Sequence, residues 1–252
     1  MSTVLDHGYC RLIESWGSDE RVIESARMST SGSFRGWGPI EFPCTFTHDE
    51  GVWPCPGCYD TGVVHRQGDE KLLEFLWKNG HTSPFEMAGA TFEVQCPMFV
   101  ARQWMRHRTL SYNELSARYT EMPEMFYLPS IERLMAGGQS KSNKQASGAP
   151  IDEQTARGMR GIIEIACESA LADYNRLLDG GLSRELARSV LPVNWYTRFR
   201  VSGNLWNWCR FESKRLPGDA QWEIRQYAEV VQRDLASVFS RTMALFAEGV
   251  SK

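Results

Sequence analysis

A segment of fourteen residues, Arg106 to Tyr119, concentrates side chains that can bind an anion. It contains three arginines, one histidine, two serines, one asparagine and one glutamate. The whole chain has 28 Lys and Arg residues against 31 Asp and Glu residues, so this local excess of arginine does not reflect a basic composition. Guanidinium groups beside hydroxyl and backbone donors suit a phosphate or another planar anion, whereas a solvated helix face more often mixes Lys and Glu. We therefore predict an anion-binding functional loop.

The overall composition is that of a globular protein and argues against two classes of function. The chain has 252 residues, of which 42% are hydrophobic and 23% charged. A net charge of −3 argues against general binding to nucleic acid polymers. No apolar run approaches the roughly 20 residues that span a bilayer. The polar start of the chain, Met1 to Tyr9, has no signal-peptide core, which predicts a cytoplasmic protein.

A second group of residues has the types and spacing of a metal site. Cys44, His48, Cys55 and Cys58 follow the pattern C-x3-H-x6-C-x2-C. Zinc prefers four sulfur or nitrogen ligands, and a C-x2-C turn offers two thiolates to one ion. His65 is a rival fourth ligand, and a surface loop that merely holds unpaired cysteines is the alternative. The other cysteines lie singly in apolar or helical contexts, which favours buried thiols: Cys10, Cys96, Cys167 and Cys209.

The elements that must position these groups predict an α+β fold, with a central, mostly antiparallel sheet flanked by long helices. Alternation predicts a half-buried strand at 90–96 and a strand with a basic face at 195–201. Periodicity and capping signals predict helices at 19–29, at 69–79, from Asp152 to about Leu178, and from near Asp219 through Met243. We predict a single domain over 1–252, with a Cys-, Gly- and Pro-rich insert at about 31–68.

The segment from Arg106 to Tyr119 resembles the signature of flavin-dependent thymidylate synthases, because it satisfies R-H-R-x2-S-x-N-x2-S-x-R-Y in full. Further blocks resemble this family in the same order, and together they cover nearly the whole chain except the insert. These blocks are residues 4–8, 26–29, 81–86, 99–104, Arg188 with 191–192, and 220–225.

The resemblance implies a homotetramer with shared active sites around FAD. It also implies conversion of dUMP to dTMP, with a methylene group from methylenetetrahydrofolate and a hydride that NADPH delivers through the flavin. No catalytic cysteine is required.

The resemblance also assigns residues. The positions that match the flavin site are Ser29, His81, Ser83, Glu86, Arg106, His107, Arg108 and Asn204. Those that match the nucleotide site are Gln103, Glu114, Ser116, Arg118, Arg188 and Arg215. Arg215 and Ser116 are the expected catalytic groups, because an arginine at the uracil carbonyl edge stabilises developing negative charge and a serine hydroxyl can donate to the phosphate. His107, between two arginines, is expected to be neutral.

Three positions depart from the usual family pattern, which often has Arg, Asn and His where this chain has Trp206, Arg210 and Asp219. Asp219 has an alternative role as the N-cap of the last helix. These departures keep two further hypotheses open. One is a pyrimidine-nucleotide hydroxymethylase, or a relative that acts on a modified base or on dCMP. The other is a zinc-stapled nucleotide-binding protein without catalysis.

Overall fold

A computed structural model describes residues 2–45, 59, 61–138 and 148–250. The strands of the described chain are β1 Ser2–Val4, β2 Gly8–Trp16, β3 Ile40–Pro43, β4 Val63–Arg66, β5 Gly89–Pro97, β6 Ser111–Glu114 and β7 Tyr196–Asn204. The helices are α1 Asp19–Arg27, α2 Glu70–Lys78, α3 Met98–Trp104, α4 Ile131–Met135, α5 Glu153–Asp179, α6 Arg184–Ala187, α7 Leu205–Arg215, α8 Trp222–Val238 and α9 Ser240–Val250. No helix among the described residues is long and apolar enough to cross a membrane.

An antiparallel five-stranded sheet in the order β1-β2-β5-β7-β6 forms the centre of the fold, which confirms the predicted α+β class. β5 lies in the middle and pairs with β7 along its whole length. The prediction of a half-buried β5 is wrong, because Thr91 and Glu93 are buried as well as the apolar positions. A central strand can hide such residues when side chains on neighbouring strands cover and satisfy them.

Glu93 shows how the polar face of the sheet is covered. Its carboxylate accepts hydrogen bonds from the Tyr9 hydroxyl at 2.8 Å and from Arg11 Nη2 at 2.9 Å, and Arg200 Nε lies 3.5 Å away. Burial alone raises the pKa of a carboxyl, but these donors outweigh it and lower the pKa of Glu93. Glu93 is therefore a buried charged group whose charge is balanced by arginines on the two neighbouring strands.

The opposite face of the sheet packs aromatic side chains against α3 and α7. Trp104 stacks on Phe211 with ring centroids 4.2 Å apart, and it meets Phe199 of β7 edge-on at 5.8 Å. Trp208 packs against Phe92 of β5 at 5.0 Å. Because all five rings are buried, this aromatic layer fixes both helices on the sheet.

The predicted insert contains a hairpin, β3 with β4, and is attached to the start of α2. Asp69 accepts a hydrogen bond from the backbone N–H of Arg35 at 2.7 Å and forms an ion pair with Arg27. Trp37 donates its indole N–H to Glu20 at 2.5 Å and lies under the guanidinium of Arg241. The described part of the insert therefore packs on α1, α2 and α9.

The C-terminal helix differs from its prediction at both ends. It begins at Trp222 after Gln221, so the N-cap role considered for Asp219 is wrong. It stops at Val238, and α9 begins at Ser240 in place of one continuous helix. The new helix start is stabilised by Asp19, whose carboxylate accepts from the backbone N–H groups of Arg241 at 2.9 Å and Thr242 at 3.1 Å. This cap is 222 residues distant in sequence, so local patterns do not reveal it.

Several ionisable groups lie in the core. The thiols of Cys10, Cys96 and Cys209 are buried, and burial raises the pKa of each.

Glu212 of α7 is fully buried, and neither of its carboxylate oxygens has a hydrogen-bond partner among the described residues. Burial raises the pKa of Glu212 well above its usual value, so the folded protein keeps this carboxyl protonated over a range of pH in which the unfolded chain ionises it.

Glu212 therefore gives the protein a measurable loss of stability with rising pH. Above about pH 5 the unfolded chain releases this proton, and the folded chain keeps it until the pH reaches the raised pKa, which costs at most about 1.4 kcal/mol per pH unit. Glu212→Gln preserves the shape and cannot ionise, so its free energy of unfolding should exceed that of the wild type at pH 8 and approach it at pH 5. Urea denaturation at both pH values measures the difference. Glu168→Gln, at an exposed position of α5, is the control and should leave the pH dependence unchanged. The same pH dependence in the wild type and Glu212→Gln contradicts the assignment.

Candidate functional site

The predicted site residues fall into three groups, and the first lines a cavity of about 460 Å³ between α1 and α2. Ser29, His81 and Ser83, all predicted flavin residues, lie in its wall. Gly80 ends α2 with a φ of 66°, a backbone conformation that glycine adopts without strain, and so turns the chain toward His81. His81 stacks on Phe75 with ring centroids 5.6 Å apart.

This cavity has the chemical character that a flavin cofactor needs. Leu72, Leu76 and Pro84 give it an apolar lining, and Ser29, Thr30 and Ser83 add hydroxyl groups. Apolar surface suits a flat ring system. The Ser29 and Thr30 hydroxyls donate to the backbone oxygens of Ala26 and Arg27, which leaves their oxygens as acceptors for the hydroxyls of a ligand sugar. Glu86 is not part of the wall. It lies in the following turn, where it accepts a hydrogen bond from Thr82 at 3.1 Å.

The second group centres on His107, which follows α3. Arg215 Nε, at the end of α7, donates to His107 Nε2 at 3.0 Å, and Arg215 Nη2 donates to the backbone oxygen of Gln103 at 3.0 Å. The His107 ring meets Phe211 edge-on at 5.0 Å. Tyr112, a member of the signature that the prediction did not single out, secures this turn through a 2.6 Å hydrogen bond to the backbone oxygen of Trp104.

Burial is the main reason that the pKa of His107 falls to about 4, and the positive charges of Arg215 and Arg210 lower it further. The expectation of a neutral imidazole is therefore confirmed, although the sequence neighbours Arg106 and Arg108 are not the cause. Because Nε2 accepts from Arg215, the ring proton belongs on Nδ1. His107 can thus donate a hydrogen bond to a ligand without adding a charge.

The other predicted flavin residues have different surroundings. Arg106 and Arg108 are exposed, and Arg106 contributes to lowering the pKa of Arg215 after the larger effect of burial. Asn204 is the N-cap of α7, where its side-chain oxygen accepts from the backbone N–H of Asn207 at 2.9 Å. Its side-chain oxygen therefore has a structural partner already.

The third group lies after β6 and holds predicted nucleotide residues. Glu114 accepts a hydrogen bond from the Thr197 hydroxyl at 2.7 Å, and with Arg188 it lines a cavity of about 110 Å³. The Ser116 hydroxyl accepts from the backbone N–H of Arg118 at 3.3 Å. Arg118 forms an ion pair with Glu185 at 2.9 Å, a contact that the sequence analysis missed.

Of the three residues that depart from the family pattern, Trp206 packs in the core, and Arg210 and Asp219 are exposed. Trp206 packs edge-on against Trp77 at 5.7 Å and joins the core. Arg210 is exposed on α7, and its charge acts on His107 as described above. Asp219 is exposed and lies before α8 without capping it.

The predicted zinc site falls mostly outside the described residues. His48, Cys55 and Cys58 are not described, and Cys44 lies at the end of β3, where its backbone N–H donates to Gly62 at 2.9 Å. His65 is exposed and lies 3.8 Å from Glu41. In the described ranges no group of three or more His, Cys, Asp or Glu side chains can hold a metal ion. Zinc stays a prediction.

A chain with this sheet, an arginine-rich signature loop and a cavity suited to a flavin belongs to a class of nucleotide-modifying flavoproteins. A family model described as "Thymidylate synthase complementing protein" matches residues 11–239. The flavin-dependent thymidylate synthase of Thermus thermophilus is 37% identical over 246 residues, which cover 97% of this chain and 77% of that protein. Its counterpart in Anaplasma marginale is 37% identical over 225 residues, covering 89% of this chain and 67% of that one. The chain belongs to the flavin-dependent thymidylate synthase family.

Solved structures agree with this assignment. The UMP/dUMP methylase PolB from Streptomyces cacaoi bound with 5-Br UMP has a TM-score of 0.76 and 29% identity, covering 97% of this chain and 96% of that one. The same protein bound with 5-Br dUMP has a TM-score of 0.75 and 30% identity, covering 97% of each chain.

The contact between Arg215 and His107 predicts a titration that NMR can follow. In the wild type, His107 should protonate only near pH 4, because burial and two arginines oppose its charge. Arg215→Gln removes one of these charges, so the pKa should rise while staying below the ordinary value of about 6.5, since burial remains. Histidine-labelled protein gives the pKa, and His107→Gln identifies the signal. Arg157→Gln on α5 is the control variant. An ordinary pKa in the wild type contradicts the buried, neutral ring.

Proposed function

We propose that the protein converts dUMP to dTMP, using FAD, methylenetetrahydrofolate and NADPH. The observation that carries the proposal is the half-buried contact of Arg215 with a neutral His107, next to Gln103 and at the end of the complete signature. Family membership supports the reaction, and the nucleotides bound to the related methylase support a uridine nucleotide as substrate. When bound, FAD supplies the redox chemistry of the reaction.

The residues divide into roles that follow from their surroundings. The cavity with Ser29, His81 and Ser83 is suited to hold part of FAD, because apolar side chains line it together with hydroxyl groups and an imidazole. His107 presents a neutral donor at Nδ1. Arg215 remains cationic despite burial, and a partly desolvated guanidinium stabilises negative charge that develops on a uracil carbonyl.

Ser116, Arg118 and Arg188 are the donors that we assign to the nucleotide phosphate. Two guanidinium groups and a hydroxyl match the geometry and charge of a monophosphate. Arg118 and Arg188 are held near each other because both contact Glu185. Glu114 is the last residue of β6 and accepts a hydrogen bond from Thr197, so it can orient a ligand next to the arginines.

We also propose a homotetramer with shared active sites. Met159, Ile162 and Ile165 are 44%, 70% and 68% exposed, and their spacing of three residues places them on one face of α5. A stripe of this kind is costly in water and is suited to an interface between copies of the chain. In one protomer, the flavin cavity and the nucleotide cavity share no lining residue, which is expected if different subunits complete one site.

The cytoplasmic location, the single-domain organisation of residues 1–252 and zinc at Cys44, His48, Cys55 and Cys58 stay predictions alongside this proposal. The zinc hypothesis rests on the C-x2-C spacing of Cys55 and Cys58. Such an ion would stabilise the fold of the insert and would have no part in the transfer reaction.

An assay with the purified protein tests the reaction directly. Incubation with FAD, dUMP, methylenetetrahydrofolate and NADPH should give dTMP. Omission of dUMP, methylenetetrahydrofolate or NADPH should abolish the product, and omission of FAD should abolish it when the protein carries no bound flavin. The protein should be yellow or become so when FAD is added. UMP in a parallel reaction measures whether the 2′-hydroxyl is tolerated. A hydroxymethyl product, or turnover of dCMP instead, supports the alternative enzyme hypothesis. A protein that binds nucleotide but never acquires flavin absorbance supports the non-catalytic one.

Arg118→Ala should separate nucleotide binding from flavin binding. Loss of one charge-assisted contact to a phosphate should weaken dUMP binding roughly 10- to 100-fold. FAD affinity should change less than about threefold by comparison, because Arg118 lies outside the flavin cavity. Calorimetric titration with each ligand gives both constants. Arg157→Ala, at an exposed position of α5, is the matched control. Loss of FAD binding with unchanged dUMP affinity would show that the two roles are assigned the wrong way round.

A further inference from the structure

Two neighbouring ion pairs bind the segment after β6 to α6. Arg118 Nε contacts Glu185 Oε2 at 2.9 Å, and Arg184 Nη2 contacts Glu121 Oε1 at 3.1 Å. Each segment supplies one arginine and one glutamate, and all four side chains are about half exposed. The pairs are therefore similar in setting, but only the first includes an arginine that we assign to the substrate.

Glu185 contacts both arginines of the proposed phosphate site. Its carboxylate holds Arg118, and its backbone oxygen accepts from Arg188 Nε at 3.3 Å. A carboxylate and a phosphate use the same donors of a guanidinium group. The Nε–H of Arg118 that now donates to Glu185 is consequently withheld from a bound phosphate until this ion pair opens.

We propose that Glu185 is a specificity-determining residue. In the absence of substrate its carboxylate binds Arg118 where the substrate phosphate would bind, and in the complex it disfavours nucleotides with more than one phosphate. The inference rests on the proposed function. A nucleotide monophosphate replaces the carboxylate on Arg118, and the displaced carboxylate remains close by because Arg184 of α6 still contacts Glu121. Its negative charge then repels every additional phosphate, so a diphosphate binds less well than the two arginines alone would allow.

Glu185→Gln tests this directly, because it keeps the size of the side chain and removes its charge. Calorimetric titration should show dUMP binding about two- to fivefold tighter than in the wild type, since an exposed ion pair no longer has to be broken. Binding of dUDP should improve by a larger factor. Deoxyuridine, which has no phosphate, should bind with unchanged affinity, and a purely structural effect of the substitution would not spare it.

Two further variants isolate the contact. Glu121→Gln breaks the neighbouring ion pair between the same segments and should leave dUMP affinity unchanged. In an Arg118→Ala background, Glu185→Gln should no longer improve dUMP binding, because its partner is missing. Thermal unfolding of each variant confirms that it is folded.

The outcomes are distinct. If wild-type protein binds dUMP and Glu185→Gln binds it no more tightly, the role of Glu185 is refuted and the proposed function stands. An equal gain in dUMP affinity in Glu121→Gln also refutes it, because weaker contact between α6 and the segment after β6 would then explain the tighter binding. If the wild type does not bind dUMP, the proposed function fails and the inference fails with it.

Discussion

The antiparallel pairing of β5 with β7 is the constraint from which the geometry of the site follows. The register runs from Gly89 opposite Asn204 to Pro97 opposite Tyr196. α3 follows β5 and α7 follows β7 with no intervening residue, so the two strands fix where both helices begin. The helices meet through the stacked rings of Trp104 and Phe211, which brings Arg215 to His107. A shift of one residue in the register would turn the apolar side chains of a strand toward the polar face and displace both helices together.

Burial is the main reason that the imidazole of His107 is neutral, and the positive charges around it add to the effect. Arg106, Arg210 and Arg215 all act electrostatically on the cluster, and the hydrogen-bond acceptors that Arg215 uses are uncharged: the His107 ring and Gln103. The excess positive charge is therefore left for a ligand to neutralise. Such a site favours an anion before any detailed contact is formed, and partial burial strengthens that preference because fewer water molecules screen the charge.

The sequence predicted what depends on local pattern and missed what depends on distant partners. The strands at 90–96 and 195–201 and the long helix capped by Asp152 follow from alternation and capping signals, and the family resemblance grouped Gln103 with Arg215. The burial of β5 required Arg11 and Arg200 on its neighbours, and the division of the last helix required Asp19 from the other end of the chain. The contact of Glu185 with Arg118 spans 67 residues, and a glutamate three residues before another arginine, Arg188, looks like an ordinary charged pair on a helix surface.

The buried thiols have a consequence for the chemistry of the protein in an oxidising or alkylating medium. Cys10, Cys96 and Cys209 have raised pKa values and no exposed surface of note, so they form little thiolate, which is the species that reacts with electrophiles and peroxides. The proposed reaction requires no cysteine nucleophile. Oxidative stress or a thiol-directed inhibitor should therefore leave these core positions unmodified as long as the chain stays folded. Thymidylate synthesis by this protein should in that respect tolerate conditions that inactivate enzymes with a reactive catalytic cysteine.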